Sequence, residues 1–353
     1  MSMEIRRYPV SMTELGIYLE WRKNLQGTAY NIPFLFPLPE GTDLNRLKDS
    51  LCQVFRAHCS LLSRFQMETD GSIYRLVPEG DREEIFVNIL ESRGEPDMRK
   101  LIRPFSDLDG ELYRLNIILA DEKKYLFMDI HHILFDGASI PVFMRDLNRA
   151  YAGDRLEEEV VTAGNFATQE QNARDTEAFM AARAWYEELL SDTEISSTHI
   201  HDKETGEARN VCFTIPLGID EKQISSYTQS LGIRTSTFFT GIYGYLISRF
   251  LGAKEALYAS IHSGRTPENA GTIGMFVQTF PVLERFNGKE SIASHLKDLE
   301  NQLRKSRASS LFSYTDICSV FYLTIPTLFA YQGDLFPEMD FLGGKTVPEA
   351  IQS

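Results

Sequence analysis

Residues 128–139 read Met-Asp-Ile-His-His-Ile-Leu-Phe-Asp-Gly-Ala-Ser. Two adjacent histidines, His131 and His132, close an apolar strand pattern. Asp136-Gly137 then makes a tight turn, and Ile140, Phe143, Met144, Leu147 and Tyr151 follow at helical spacing. An imidazole exchanges a proton near neutral pH, and a helix N-terminus beside a glycine turn offers unpaired backbone donors. A general base and an oxyanion-binding N–H can therefore converge here. The same residues have a structural reading, as hydrogen-bonded histidines of a strand end, and the local spacing leaves both open. A metal centre does not follow, because His131, His132 and Asp136 lack a fourth ligand and a recognised ligand spacing. Ser139 suits a helix N-cap, and Pro141 suits the first turn of the helix.

Other groups carry less chemistry. His199 and His201 lie in a polar loop without further ligands nearby. His58 falls on the apolar face of its helix and reads as a core residue, and His262 ends a strand shortly before Arg265. Cys52 and Cys59 read as core residues of one helix face, and the four cysteines form no C-x-x-C pair. No nucleotide-binding glycine motif is present. Fifty acidic against 36 basic residues give a net charge of −14. No basic run supports phosphate contacts, which argues against nucleic acid as a partner. The first residues lack the apolar core of a signal peptide, and no stretch reaches the ~20 apolar residues of a membrane span. A cytoplasmic protein is expected.

The elements that position these residues are legible as patterns. Ser11 and Glu14 form a capping box before a first helix, and a second runs from Asp43 through Leu44, Leu47, Leu51, Val54 and Phe55. Strands are expected at 30–38, 73–78, 85–90, 112–120 and 124–131, with a short helix near 97–104. The polar stretch 154–176 marks an internal boundary. Beyond it come a helix at 177–190, an exposed loop at 191–209, a strand at 210–217 and a helix from Asp220. A helix from about Ser236 to Gly252, strands at 256–262 and 275–284, and a helix at 291–307 follow. Two similar α/β halves are expected, 1–160 carrying the histidine motif and 161–353.

Four ordered segments carry a family resemblance. His131-His132-x-x-x-Asp136-Gly137 resembles the HHxxxDG signature of nonribosomal peptide synthetase condensation domains, in the chloramphenicol acetyltransferase-like superfamily. Ser11 to Trp21 loosely resembles the family's first helix. Arg56 to Phe65 resembles RHExLRTxF, keeping the histidine, one leucine and the phenylalanine, and Gly274 to Thr279 resembles GxFVNT with Gln278 in place of Asn.

The resemblance implies two acetyltransferase-like subdomains, each a mixed β-sheet with flanking helices, arranged as a V-shaped pseudodimer. It implies an acyltransferase that joins a donor acyl or peptidyl thioester to the amine of a carrier-bound aminoacyl acceptor. His132 matches the active-site histidine, either as general base or as a group that orients the amine. Gly137 would lend an N–H to the thioester oxygen. Asp136 would pair with Arg265, and His131 would support the site. Ser139, His262 and Gln278 are candidates to line the substrate tunnel.

No cofactor is expected in the domain itself, because the phosphopantetheine arms belong to the carriers. Expected partners are donor and acceptor peptidyl carrier proteins and a neighbouring adenylation domain, with the chain itself monomeric and binding no membrane. Members of the family continue beyond the segment resembled by residues 321–334, so a shortened second half with exposed sheet edge is expected. The start at Met1 suits a starter-type domain that acylates the first amino acid. A coenzyme A-dependent acyltransferase, a carrier-docking domain without turnover and an epimerising relative are the competing readings.

Overall fold

Periodic apolar stripes become helices and alternating runs become strands where each finds a surface to bury. In the computed structural model, described for residues 5–78, 84–94, 97–121, 123–191, 212–333, 338–346 and the backbone of 349–350, the order begins β1 (Ile5–Pro9), α1 (Met12–Lys23), β2 (Asn31–Pro37) and α2 (Leu44–Ala57). Next come β3 (Arg64–Met67), β4 (Ile73–Pro78), β5 (Val87–Ser92), β6 (Tyr113–Ala120), β7 (Lys123–His131) and α3 (Ser139–Ala152). Then follow α4 (Ala163–Asn172), α5 (Glu177–Leu190), α6 (Glu221–Leu231), α7 (Thr235–Leu251), β8 (Glu255–His262) and β9 (Gln278–Arg285). The chain ends with α8 (Ile292–Ala308), α9 (Tyr314–Phe321), β10 (Leu328–Phe329), β11 (Met339–Phe341), β12 (Gly344–Thr346) and β13 (Glu349–Ala350).

The chain forms two compact units. The first comprises Met1–Arg174, Ser263–Val277 and Asp334–Ser353, and the second Asp175–His262 and Gln278–Gly333. The expected division at 160 is therefore replaced by a discontinuous one. Its first break falls inside the polar stretch 154–176, and α4 stays with the first unit. Two later segments return because their side chains are buried there: Ile273 and Phe341 are both fully inaccessible within the first unit's core.

The first unit is built on a five-stranded mixed sheet in the order β13-β2-β7-β6-β5. All pairings are antiparallel except β5 with β6. β7 lies between β2 and β6, with Asn31 opposite His131 and Tyr113 opposite Ile130. Helices α2 and α3 place Leu47, Leu51, Val54, Phe55, Phe143 and Leu147 in one core with Leu115, Leu126 and Met128. A second, antiparallel sheet has the order β1-β4-β3. The capping box of α1 forms as expected, and Glu14 does double duty by pairing with the fully buried Arg75 of β4.

The second unit carries the mixed sheet β10-β8-β9, β10 being parallel and β9 antiparallel to β8. Glu284 of β9 is buried, accepting from the Tyr258 hydroxyl at 2.7 Å and bonding His295 Nε2 at 2.6 Å. Gly241 and Gly244 let α7 lie against this group: a Cβ on Gly244 would fall 1.7 Å from a Glu284 carboxylate oxygen. No helix among the described residues is long and apolar enough to cross a membrane.

Several expected elements are corrected. The helix near 97–104 is one 3-10 turn, Met98–Lys100, because the residue before Pro104 is driven out of helical backbone. Cys59 lies past the end of α2 and both Cys52 and Cys59 are half-buried. Residues 212–219 form no strand despite their alternation, and Phe213, Ile215, Leu217 and Ile219 are all exposed. A two-residue period becomes a strand only where a ladder partner and an apolar face are at hand, and none of the described strands pairs with it. The expected strand 275–284 begins only at Gln278, for a reason that lies in the site.

Candidate active site

Strand β7 delivers the two histidines in unlike settings. The His131 N–H donates to Leu112 O at 2.9 Å and the His132 N–H to Tyr30 O at 2.8 Å, which pins both ends of the strand tip. Ile133, Leu134 and Phe135 then sink fully into the core, anchoring the turn between the histidines and Asp136. The His131 ring is buried against Tyr30 and Phe105, and its Nδ1 accepts the Ile133 N–H at 3.1 Å. Burial, with the neighbouring His132 and Arg114 adding to it, pushes His131 down to about 3, so the ring is neutral.

His132 is only half-buried, though its Nδ1 is enclosed without a hydrogen-bond partner. Burial lowers its pKa below the ordinary histidine value, against the pull of nearby backbone groups and the Asp136 charge. A neutral imidazole at physiological pH results. Such a ring can accept a proton or a hydrogen bond from a nucleophile.

Asp136 is fully buried and saturated. Its Oδ1 accepts from the Ser139 N–H at 2.8 Å and from Arg265 Nη2 at 2.5 Å, and its Oδ2 accepts from the Phe276 N–H at 3.1 Å. Arg265 uses its other nitrogen on two carbonyls, Asn269 O at 2.9 Å and Thr272 O at 2.6 Å, and its guanidinium lies over the Phe276 ring. A planar fork of donors suits this task in a way a lysine would not. The bond from Phe276 takes that backbone group out of the ladder, which is why β9 starts two residues later.

Ser139 is corrected in two ways. It is the first residue of α3 and not its cap, which is Ala138 without a side-chain bond. Its hydroxyl is fully buried inside the Asp136 network, 2.8 Å from Oδ1, accepting from Arg265 Nη2 at 2.9 Å and from the Gly274 N–H at 3.2 Å. It braces the turn. Gly137 does not adopt left-handed backbone, and its N–H donates no hydrogen bond among the described residues. That leaves a free donor five residues from His132 in sequence, at the start of a helix.

His262 and Gln278 belong to the second unit, where they face each other as the last pair of β8 and the first of β9. His262 is pushed down to about 4 by burial and leans on Phe280. His199 and His201 lie outside the described residues, among which no cluster could hold a metal ion. A cleft of about 660 Å³ lined by Asn148, Tyr151, Leu342 and Lys345 sits at the far end of α3. Its nearest α3 residue, Asn148, is separated from Ser139 by about 14 Å of helix, and the cleft takes no part in the site.

Sequence reading missed Phe276, Asn269 and Thr272 as parts of the Arg265 seat. The Thr266-Pro267-Glu268-Asn269 run was a turn signal that could have found them, since the Thr266 N–H donates to Asn269 Oδ1 at 2.7 Å.

A histidine thus stands at a strand tip beside a helix N-terminus, in a turn braced by a buried Arg–Asp pair within a mixed α/β sheet. The chain belongs to the family described as Condensation domain, whose profile matches residues 4–323. Among curated proteins it is 24% identical over 316 residues to tyrocidine synthase 3 of Brevibacillus parabrevis, covering 88% of this chain and 5% of that protein. Surfactin synthase subunit 1 of Bacillus subtilis (strain 168) is 24% identical over 321 residues, covering 88% of this chain and 9% of that protein. The chain thus spans a small part of the relatives it matches. The first condensation domain of the CDA synthetase has the same fold, with a TM-score of 0.75 at 16% identity over 98% of this chain and 84% of that one. A starter condensation domain of rhizomide synthetase gives a TM-score of 0.79 at 13% identity over 98% of this chain and 82% of that one. The expected α/β fold of two mixed-sheet units is that of these domains.

Proposed function

We propose that this chain joins a donor acyl or peptidyl thioester to the amine of a carrier-bound aminoacyl acceptor, forming an amide. The observation that supports this above the others is the neutral His132 ring at a turn locked by Asp136 and Arg265. The acceptor nitrogen attacks the thioester carbonyl carbon, a C–N bond forms, and the carbonyl pair moves onto oxygen. The Gly137 N–H meets that oxyanion. The C–S bond then breaks, the thiolate leaves with the bonding pair, and the proton shed by the amine reaches it. His132 either carries that proton or holds the amine in line while it departs.

His131, Asp136, Arg265 and Ser139 hold the turn. The domain needs no cofactor of its own, since both substrates arrive on the phosphopantetheine arms of donor and acceptor peptidyl carrier proteins. It works as a monomer in the cytoplasm alongside an adenylation domain. His132→Ala should lower single-turnover amide formation by about 10²–10⁴-fold while carrier binding persists. An unchanged rate would remove His132 from the reaction. Turnover of acyl-coenzyme A with a free amine, without any carrier, would favour the coenzyme A-dependent reading instead.

A further inference from the structure

The imidazole of His58, expected as an apolar core residue, lies buried between two carboxylates. Its Nε2 is 2.9 Å from Asp146 Oδ2 on α3, and its Nδ1 is 3.1 Å from Glu159 Oε1. Carboxylate oxygens only accept, so both ring nitrogens carry hydrogens and the ring is an imidazolium. Burial alone would push His58 down, but the two carboxylates override it and hold the pKa at about 9.

Glu159 does more than bind this ring. The same Oε1 accepts the Ile273 N–H at 3.0 Å, while Oε2 is buried with no partner. Beside it the Thr272 hydroxyl donates to Val161 O at 3.1 Å. Ile273 is followed by Gly274, bonded to Ser139, and by Phe276, bonded to Asp136. A half-satisfied buried carboxylate is stabilised by a cation beside it. His58 is that cation for Glu159, because Arg145 and Arg149 of α3 are spent on Asp146.

We infer that His58 is a positioning residue: its imidazolium anchors Glu159, and through Glu159 the stretch Thr272–Phe276 that seats Arg265 on Asp136. The geometry of the His132 turn is then set partly from the end of α2. The ionisable groups around the ring are Asp146, Arg145 and Arg149 on α3, Glu159 on the connecting segment, and Cys59 beside it.

The activity arm of the test rests on the proposed amide formation; the exchange arm does not. Amide hydrogen exchange on the full chain is measured for Ile273, Gly274 and Phe276 in the wild type, His58→Gln and Glu159→Gln. Protection factors should fall about tenfold or more in both variants, and in the wild type as pH rises through about 9. Amide formation should lose about tenfold or more in kcat with little change in KM, and the alkaline limb near that pH should vanish in His58→Gln. Unaltered protection at these three amides in folded His58→Gln overturns the inference. If that variant does not fold, Glu159→Gln decides, since its amide oxygen can still accept from Ile273 and only the charge is lost. Changed protection in a chain that forms no amide would sink the proposed function and leave the positioning role standing.

Discussion

Removing Arg265 should cost the first unit far more than a surface ion pair would. Asp136 is fully inaccessible and the Arg265 side chain is 11% exposed, so neither charge can fall back on water. Breaking a buried pair by removing one partner typically costs about 3–5 kcal/mol. Arg265→Ala sits at the upper end, about 5 kcal/mol, because it also strips the donors from Asn269 O and Thr272 O and leaves the Asp136 charge alone. Asp136→Asn should cost about 3 kcal/mol, since an amide oxygen keeps the bonds from Ser139 but sets an NH2 against the Phe276 N–H. Arg265→Lys falls between, for want of the fork. Trp21 and Trp185 are the chain's two tryptophans, the first in α1 of the first unit and the second in α5 of the second. Urea unfolding in a Trp185→Phe background therefore reports the first unit alone. The two single changes should share at least ~2 kcal/mol, so that the double variant is much less destabilised than their sum. A loss under ~1 kcal/mol for Arg265→Ala, or strict additivity, would refute the account of the locked turn.

Further outcomes follow from the same structure. His131 at about 3 and His262 at about 4 bind protons more weakly folded than unfolded, where the ordinary value is 6.5. Stability should therefore be complete above ~6.5 and fall by up to ~1.4 kcal/mol per pH unit for each ring as pH drops toward those values. Urea titrations between pH 4.5 and 7.5 check this, with His131→Leu expected to flatten the slope read by Trp21. In the second unit, Gly244→Ala drives a methyl into the Glu284 carboxylate and should cost about 3 kcal/mol, read from Trp185 fluorescence. A neutral Gly244→Ala would mean α7 shifts freely off β9.

The sequence was readable where an element is specified by its own stripe. Helices α2 and α5 lie where Leu47, Leu51, Val54 and the 177–190 pattern put them, and β6 and β7 where apolar runs predict them. It was unreadable where a distant residue decides. Phe213, Ile215 and Leu217 alternate like a strand, but alternation does not supply the neighbour that a ladder needs. Met275–Val277 look like the start of β9, yet Asp136, 140 residues away in sequence, takes the Phe276 N–H. His58 followed an apolar period faithfully; the carboxylates that make it a cation come from α3 and from residue 159, which no local window contains. The Asp136–Arg265 pair was legible only through the family resemblance, since 129 residues separate the partners.

The central claim is tested most directly by weighing the product. Donor carrier loaded with an acyl thioester and acceptor carrier loaded with an aminoacyl thioester are incubated with the full chain, and the intact mass of the acceptor carrier is recorded over time. The account predicts that the acceptor gains the donor acyl mass, that the donor loses it, and that His132→Ala slows the gain by about a hundredfold or more. An acceptor whose mass stays unchanged with the wild-type chain, or grows equally fast with His132→Ala, would contradict it.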